Sequence, residues 1–263
     1  MGLVGCTSNE PSSPASSNKP ASSSSTPTTS VAPSTSETPS TSEGPVDPQG
    51  KKVEFNVSTF VANEISSLVT AGKVTQDPTD QSKYTIEADE STGTKMGSNP
   101  FSFGDNEIKF FYDSSANDPK NWQIDGNKKS SVKNSGVSYT HRIKSGGANN
   151  KLHLDLTAEA LVSIEAMSSS SSDLPRAIKM ENQADNTIIT ELNPTGTTLE
   201  NGATTMQGSS LQLFEYRLSA GTYRWGAYKD ETTQSESGTG DTTKSGGYNI
   251  YYVCVHYMAE EAA

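Results

Sequence analysis

Phe214-Glu215-Tyr216-Arg217-Leu218 and, beyond a break at Ala220-Gly221, Tyr223-Arg224-Trp225-Gly226-Ala227 decide the fold class. Large apolar side chains fall on every second residue, and in an extended chain alternate residues share a face. The same rhythm recurs upstream. Leu152, Leu154 and Leu156 alternate with His153 and Asp155, and Val162, Ile164 and Ala166 alternate with Ser163 and Glu165. Clusters of turn-forming residues separate the runs: Gly146–Asn150, Ser168–Asp173 and Asn193–Gly196. One face in, one face out and short connections predict an all-β chain, an antiparallel β-sandwich of jelly-roll-like kind. The last run, Tyr248 to Tyr257, is apolar at nearly every position, which predicts a central strand covered on both faces. Ser58–Val69 is the single helix expected: Val61, Ile65, Leu68 and Val69 recur at helical spacing, Ser58 caps the start and Gly72 follows the end.

Outside these runs the composition changes abruptly. Residues 1–50 hold 29 Ser, Thr or Pro, and the first aromatic residue of the chain is Phe55. Such a segment buries too little apolar surface to offset the entropy of ordering it, so a disordered tether is expected there. The folded domain is then residues 51–263. Formal charge is −11; Lys19 against Glu10, Glu37, Glu43 and Asp47 assigns −3 to the tether and leaves −8 for the domain. An acidic chain without a Lys/Arg block is a poor partner for nucleic acid or anionic lipid. No apolar run is long enough for a membrane-spanning helix.

Leu3-Val4-Gly5-Cys6 has the form of a lipobox, the site at which bacterial lipoproteins are lipidated on cysteine and cleaved before it. Polar Thr7-Ser8-Asn9-Glu10 follow at once, and Met1-Gly2 stands where the basic and apolar parts of a signal would be. Lipidation of Cys6 and a cell-surface location on a Gram-positive bacterium are expected, with contact to the membrane through the anchor only. A flexible coil over residues 7–48 averages about 35–40 Å. Cys254 has no other partner in the chain if Cys6 is lipidated, and reads as a small buried hydrophobe.

Three stretches carry a family resemblance. They are Tyr139-Thr140-His141-Arg142-Ile143-Lys144-Ser145-Gly146-Gly147; Glu165 to Asp173 with Arg176 beyond; and Ala220-Gly221-Thr222-Tyr223 followed by Gly247-Tyr248-Asn249-Ile250-Tyr251-Tyr252-Val253. Ile124-Asp125-Gly126-Asn127 extends the match upstream. In order and mutual spacing the set resembles the noncatalytic β-sandwich domain that accompanies secreted pectate lyases and related polysaccharide-degrading enzymes of Firmicutes. The resemblance implies carbohydrate association without defining the sugar. Two departures lie near the region expected to face sugar: Leu174-Pro175 between Asp173 and Arg176, and a long polar loop, Asp230 to Gly247, before the last strand.

Several residues are candidates for sugar contact. Trp122, in the polar segment Pro119–Asp125, is the main candidate for stacking on a pyranose, while Trp225 shares a face with Tyr223 and Ala227 and reads as core. Tyr251 and Tyr228 are weaker stacking candidates. Arg142 and Lys144 lie two apart on one strand face, roughly 7 Å from each other. They either hold a sugar's carboxylate or hydroxyls, or pair with an acid such as Asp155 or Asp173. Arg176 either joins that face or clips the serine-rich turn through Asp173, the reading preferred here.

Catalysis has little foothold. Trp122-Gln123-Ile124-Asp125 is superficially similar to a pectate lyase segment, but no His follows it. His141, His153 and His256 lack metal-ligand spacing, and no Gly-x-Ser-x-Gly elbow is present. No cofactor is expected. Asp77, Asp80, Asp89 and Glu90 lie in acidic loops that offer oxygens for a structural Ca²⁺, without EF-hand spacing. The expected function is noncatalytic: a surface lipoprotein that binds a polysaccharide and holds it near the cell for degradation. Net negative charge favours a neutral glycan over pectin. The alternative is an adhesin or scaffold that binds another protein.

Overall fold

A computed structural model describes residues 50–86, 102–112, 122–145, 150–169, 176–198, 202–206, 210–227 and 247–259. Among them the elements run β1 (Lys52–Asn56), α1 (Val57–Asn63), α2 (Ile65–Thr70), β2 (Thr75–Gln76), β3 (Tyr84–Ile86), β4 (Ser102–Phe103), β5 (Ile108–Tyr112), β6 (Trp122–Ser130), β7 (Ser138–Lys144) and β8 (Asn150–Leu156). Then follow β9 (Ala160–Ser168), β10 (Arg176–Asn182), β11 (Ile188–Ile189), β12 (Thr204–Met206), β13 (Gln212–Leu218), β14 (Gly221–Ala227) and β15 (Tyr248–Tyr257). The tether, Cys6, the Ser170–Pro175 turn and residues 228–246 of the long polar loop lie outside the described residues.

Two antiparallel sheets face each other. Sheet A runs β13-β9-β15-β7-β6-β3-β2, with β1 also paired to β15, and sheet B runs β11-β10-β14-β8-β5-β4, with β12 paired to β10. The runs that decided the fold class sit as the alternation requires. Leu152 and Leu154, Val162, Ile164 and Ala166, Phe214, Tyr216 and Leu218, and Tyr223, Trp225 and Ala227 all enter one hydrophobic core between the sheets. The break at Ser219-Ala220 carries the chain across the sandwich: β13 belongs to sheet A and β14 to sheet B. The Trp225 ring meets Phe214 edge-on at 5.5 Å, and its indole N–H donates to the Tyr216 hydroxyl at 3.2 Å. A buried Trp needs such a partner for its one donor.

β15 is the central strand its composition predicts. It pairs with β9 on one side and with β7 and β1 on the other. A register shift between Ile250 and Tyr252 turns Tyr251 and Tyr252 onto the same outer face, as the extra residue of a β-bulge does. There they join Tyr139, Met167 and Cys254 in a second buried cluster. Cys254 is a buried free thiol, as expected of a small hydrophobe.

The helix differs from its expected form. α1 and α2 are separated at Glu64, and the N-cap is Asn56, whose Oδ1 accepts from the backbone N–H groups of Ser58 and Thr59. An Asn at that position serves as well as a Ser, and it leaves the Ser58 hydroxyl for a tertiary role. Ser58 Oγ accepts instead from the backbone N–H of Thr140 at 2.8 Å and of His141 at 3.3 Å, which ties the helix to β7. Gly72 follows the helix end at φ +68°, and Lys73 N–H returns to the Leu68 carbonyl. This is the left-handed closure that favours glycine.

Candidate functional site

The residues singled out for sugar contact have other work. Trp122 is 1% exposed: it opens β6, packs edge-on against Phe110 at 5.1 Å and donates its indole N–H to the Phe111 carbonyl. Gln123 and Asp125 take the opposite strand phase, so the ring faces the core and presents no surface to a sugar. Tyr251 is likewise buried in the second cluster, with its hydroxyl on Asn127. Arg142 and Lys144 do share a face, and the acid they share is Asp125 rather than Asp155; Asp173 lies outside the described residues. Arg142 Nε reaches Asp125 Oδ1 at 2.6 Å and Lys144 Nζ reaches Oδ2 at 3.4 Å. Asp125 lies opposite Arg142 in the β6–β7 register, a pairing the sequence does not specify. Arg176 opens β10 opposite Met206 of β12, half-buried, and the Asp173 expected to clip it lies outside the described residues.

The acidic loop is closed on itself. Asp77 Oδ1 accepts from Thr79 N, Thr79 Oγ1 and Asp80 N. Asp80 takes Ser82 with one oxygen and Lys83 with the other. Asp89 and Glu90 lie outside the described residues. Among the described residues no group of three or more His, Cys, Asp or Glu is placed to hold a metal ion.

A different surface gathers chemistry. Sheet B turns Ile108, Phe110, Leu152, Leu154, Tyr223, Trp225, Ile178 and Met180 inward. Their alternates therefore line its outer face. Strand register arranges these alternates in rows. One row reads Lys109, His153, Arg224 and Glu181 across β5, β8, β14 and β10. Beside it Phe111 stands opposite Lys151, and Gly226 opposite Lys179. On the other side Asp155 stands opposite Thr222. Four strands spaced about 4.8 Å apart make the two four-residue rows roughly 14 Å long.

At the centre of this face the Phe111 ring lies on the His153 imidazole, centroids 4.4 Å apart and planes 32° apart. The Arg224 guanidinium stands 5.8 Å from the Phe111 ring centre. Burial drives the His153 imidazole down to about 4, and the adjacent Arg224 adds to the shift, so this ring is neutral at ordinary pH. Lys109 pairs with Asp155, Thr222 Oγ1 donates to Asp155 at 2.9 Å, Lys179 pairs with Glu181, and Lys151 donates to the Ala227 carbonyl.

The face leads into an open cleft of about 350 Å³ lined by Lys51, Asp105, Glu107, Asp155, Leu156 and Thr222, among others. Lys51 bridges Asp105 at 2.8 Å and Glu107 at 2.6 Å. The bond to Lys51 holds the Asp105 carboxyl below its usual range. Burial pushes Asp155 up, but Lys109 and Thr222 outweigh it and the net shift is downward. Planar groups beside donors and acceptors, on a sheet face that opens into a cleft, suit a hydroxyl-rich ligand with apolar C–H faces.

Reasoning from sequence missed this face. His153, Asp155 and Arg224 stood out as polar partners in alternating runs, Asp155 also as an acid for Arg142 or Lys144, and Lys109 and Phe111 were not singled out. Nothing in one sequence says that β5, β8, β14 and β10 lie side by side, or that Phe111 is turned outward next to inward Phe110.

No family model matches the sequence, and no curated protein matches it. Among solved structures it is similar to a chain from a study of glycan recognition in the Ruminococcus flavefaciens cellulosome. That match has 8% identity over 58% of this chain and 96% of that one, with a TM-score of 0.27. The C-terminal CBM6 of LamC from Zobellia galactanivorans aligns at 17% identity over 57% of this chain and 98% of that one, with a TM-score of 0.22. The K1 cleaved adhesin domain of Lys-gingipain from Porphyromonas gingivalis aligns at 9% identity over 80% and 100%, with a TM-score of 0.27. Likenesses this weak carry no argument for a ligand. The sandwich and its outer face stand on the strand registers and side chains above.

Proposed function

We propose that this chain is a noncatalytic polysaccharide-binding domain, carried at a bacterial cell surface by a lipid on Cys6, and that the outer face of sheet B is its binding surface. The observation that carries the reading is the Phe111–His153 pair beside Arg224, set among hydrogen-bonding side chains and continuous with the cleft. A protein-binding role needs an apolar patch with a polar rim. Among the described residues the large hydrophobic side chains left exposed are Val132, Val137 and Leu192, too few for such a patch. Asp105 and Asp155 of the cleft do not suit the general-acid role of glycoside hydrolysis either. A general acid needs a raised pKa, whereas Lys51 holds Asp105 low and Lys109 with Thr222 holds Asp155 low.

Affinity electrophoresis across starch, xylan, mannan, β-glucan and pectin tests the reading. Retardation in at least one gel is expected. Phe111→Ala, folded by circular dichroism, is expected to weaken it up to about tenfold, the worth of one lost aromatic contact. Retardation in none of the gels, or unchanged retardation of folded Phe111→Ala, would reject this face as a glycan site. The anchor is tested separately. Behind an intact signal in a bacterial host, the wild type should partition into detergent and Cys6→Ala should remain aqueous; two aqueous proteins would remove the lipid from the account.

A further inference from the structure

We infer that the sheet B face is built for an anionic sugar unit, a uronate, with Arg224 as the partner of its carboxylate. The inference rests on the polysaccharide-binding reading and deepens it. The chain carries net charge −11, yet this face collects Lys109, Lys151, Lys179 and Arg224 against Asp155 and Glu181, four cations to two carboxylates. The expectation of a neutral glycan follows from net charge, whose reach is screened beyond about 8 Å at physiological ionic strength. Contact recognition depends on the groups nearest the sugar. Over the strand rows these are four cations to two carboxylates, and the adjoining cleft adds Lys51 against Asp105 and Glu107, so the positive excess lies on the rows around Arg224.

Arg224 differs from the other cations of the face. Lys109 is matched by Asp155 and Lys179 by Glu181. Glu181 stands directly opposite Arg224 in the β10–β14 register, yet its carboxylate is taken by Lys179 from its own strand. Arg224 is exposed and has no ion pair among the described residues; its contact there is with the Phe111 ring, at 5.8 Å. A guanidinium resting by an aromatic ring still has its planar fork of donors available, and that fork matches a carboxylate. Neighbouring groups fit the rest of a uronate. Phe111 offers an apolar surface to the pyranose C–H groups, and Asp155 and Thr222 can accept from its hydroxyls. An acid group at one end and hydroxyls at the other would orient the sugar across the rows, along β14.

The test measures binding of the whole chain to three sets of polymers: polygalacturonate and alginate, dextran sulfate, and neutral dextran, xylan and starch. Tightest binding to the uronates, weakening as NaCl is raised, is expected. Arg224→Gln should weaken uronate binding about tenfold or more, and Arg224→Lys, which keeps the charge without the fork, should recover only part of it. Because Arg224 is exposed, neither variant should change the urea midpoint. Neutral polymers bound as tightly as uronates, or a folded Arg224→Gln that binds uronates normally, would overturn the inference and leave polysaccharide binding standing. Preference for dextran sulfate over both uronates would overturn the carboxylate assignment. Binding to no polymer would remove the underlying function as well.

Discussion

Glu165→Ala is expected to cost about 2–3 kcal/mol of folding stability, the worth of the hydrogen bonds that end on its buried carboxylate. Glu165 lies on β9 with no exposed surface, on the outer face of sheet A. Its carboxylate accepts from Ser131 Oγ at 2.6 Å, Val132 N at 2.8 Å, Lys133 N at 3.2 Å and Tyr139 OH at 3.1 Å. Three of these donors belong to the β6–β7 connection, so one side chain fastens that connection onto the sheet. Lys133 Nζ adds a second tie by reaching Ser163 and Glu215. With the carboxylate gone, two backbone N–H groups and two hydroxyls lose their acceptor; Tyr139 is buried, whereas Val132 and Lys133 are exposed and their N–H groups can turn to water. Glu165→Gln retains one acceptor oxygen and should lose roughly half as much. Urea unfolding of the three proteins measures both, and hydrogen exchange at Val132 and Lys133 should quicken in the Ala variant. A loss below about 1 kcal/mol would mean the connection is held by other contacts.

The contrast between Glu165 and Arg142 shows how far the sequence could be read. The strands were legible because burial on one face imposes period two on every run, and Leu152, Ile164, Phe214 and Trp225 obey it. β15 was legible for the complementary reason: a strand buried on both faces has no polar phase. What an alternating pattern cannot carry is which strand lies beside which. Arg142 finds its acid on β6 and Glu165 finds its donors in the β6–β7 connection, partners set by register and by a turn's path. Trp122 misled because its sequence neighbours are polar, although polarity alternating with a buried ring is what an edge-to-core strand shows. The candidate face suffered from the same limit. Its rows are assembled from two to four strands, of which sequence shows each side chain singly.

Stability between pH 4.5 and 8 is expected to be nearly flat in the wild type, because a buried group and a half-buried one titrate against each other. Burial pushes the Glu191 carboxyl from its ordinary 4.5 up to about 7, with Glu215 adding to the rise and Thr204 opposing it. Glu191 therefore contributes stability that is whole below pH 4.5 and is lost as pH rises to 7. His153 has the opposite sign. Burial and Arg224 lower it from 6.5 to about 4, so its contribution is whole above pH 6.5 and is lost as pH falls toward 4. Each group is worth at most about 3 kcal/mol across its window, at 1.36 kcal/mol for each pH unit of displacement. From pH 4.5 to 6.5 the two slopes cancel. Removing either group should expose the other. Glu191→Gln keeps the neutral shape, so it should match the wild type near pH 4.5, gain on it through neutrality and be about 2–3 kcal/mol more stable at pH 8. His153→Gln should lose stability over the same rise, because only the Glu191 slope remains. Loss of the Phe111 stack shifts that curve downward without changing its slope. Depressed carboxylates such as Asp80 and Asp155 act at lower pH and leave this window alone. Urea unfolding at half-unit pH steps decides the matter. Two single variants whose curves run parallel to the wild type would show that neither group is displaced as burial requires, whereas opposite slopes that vanish in the double variant would establish the compensation.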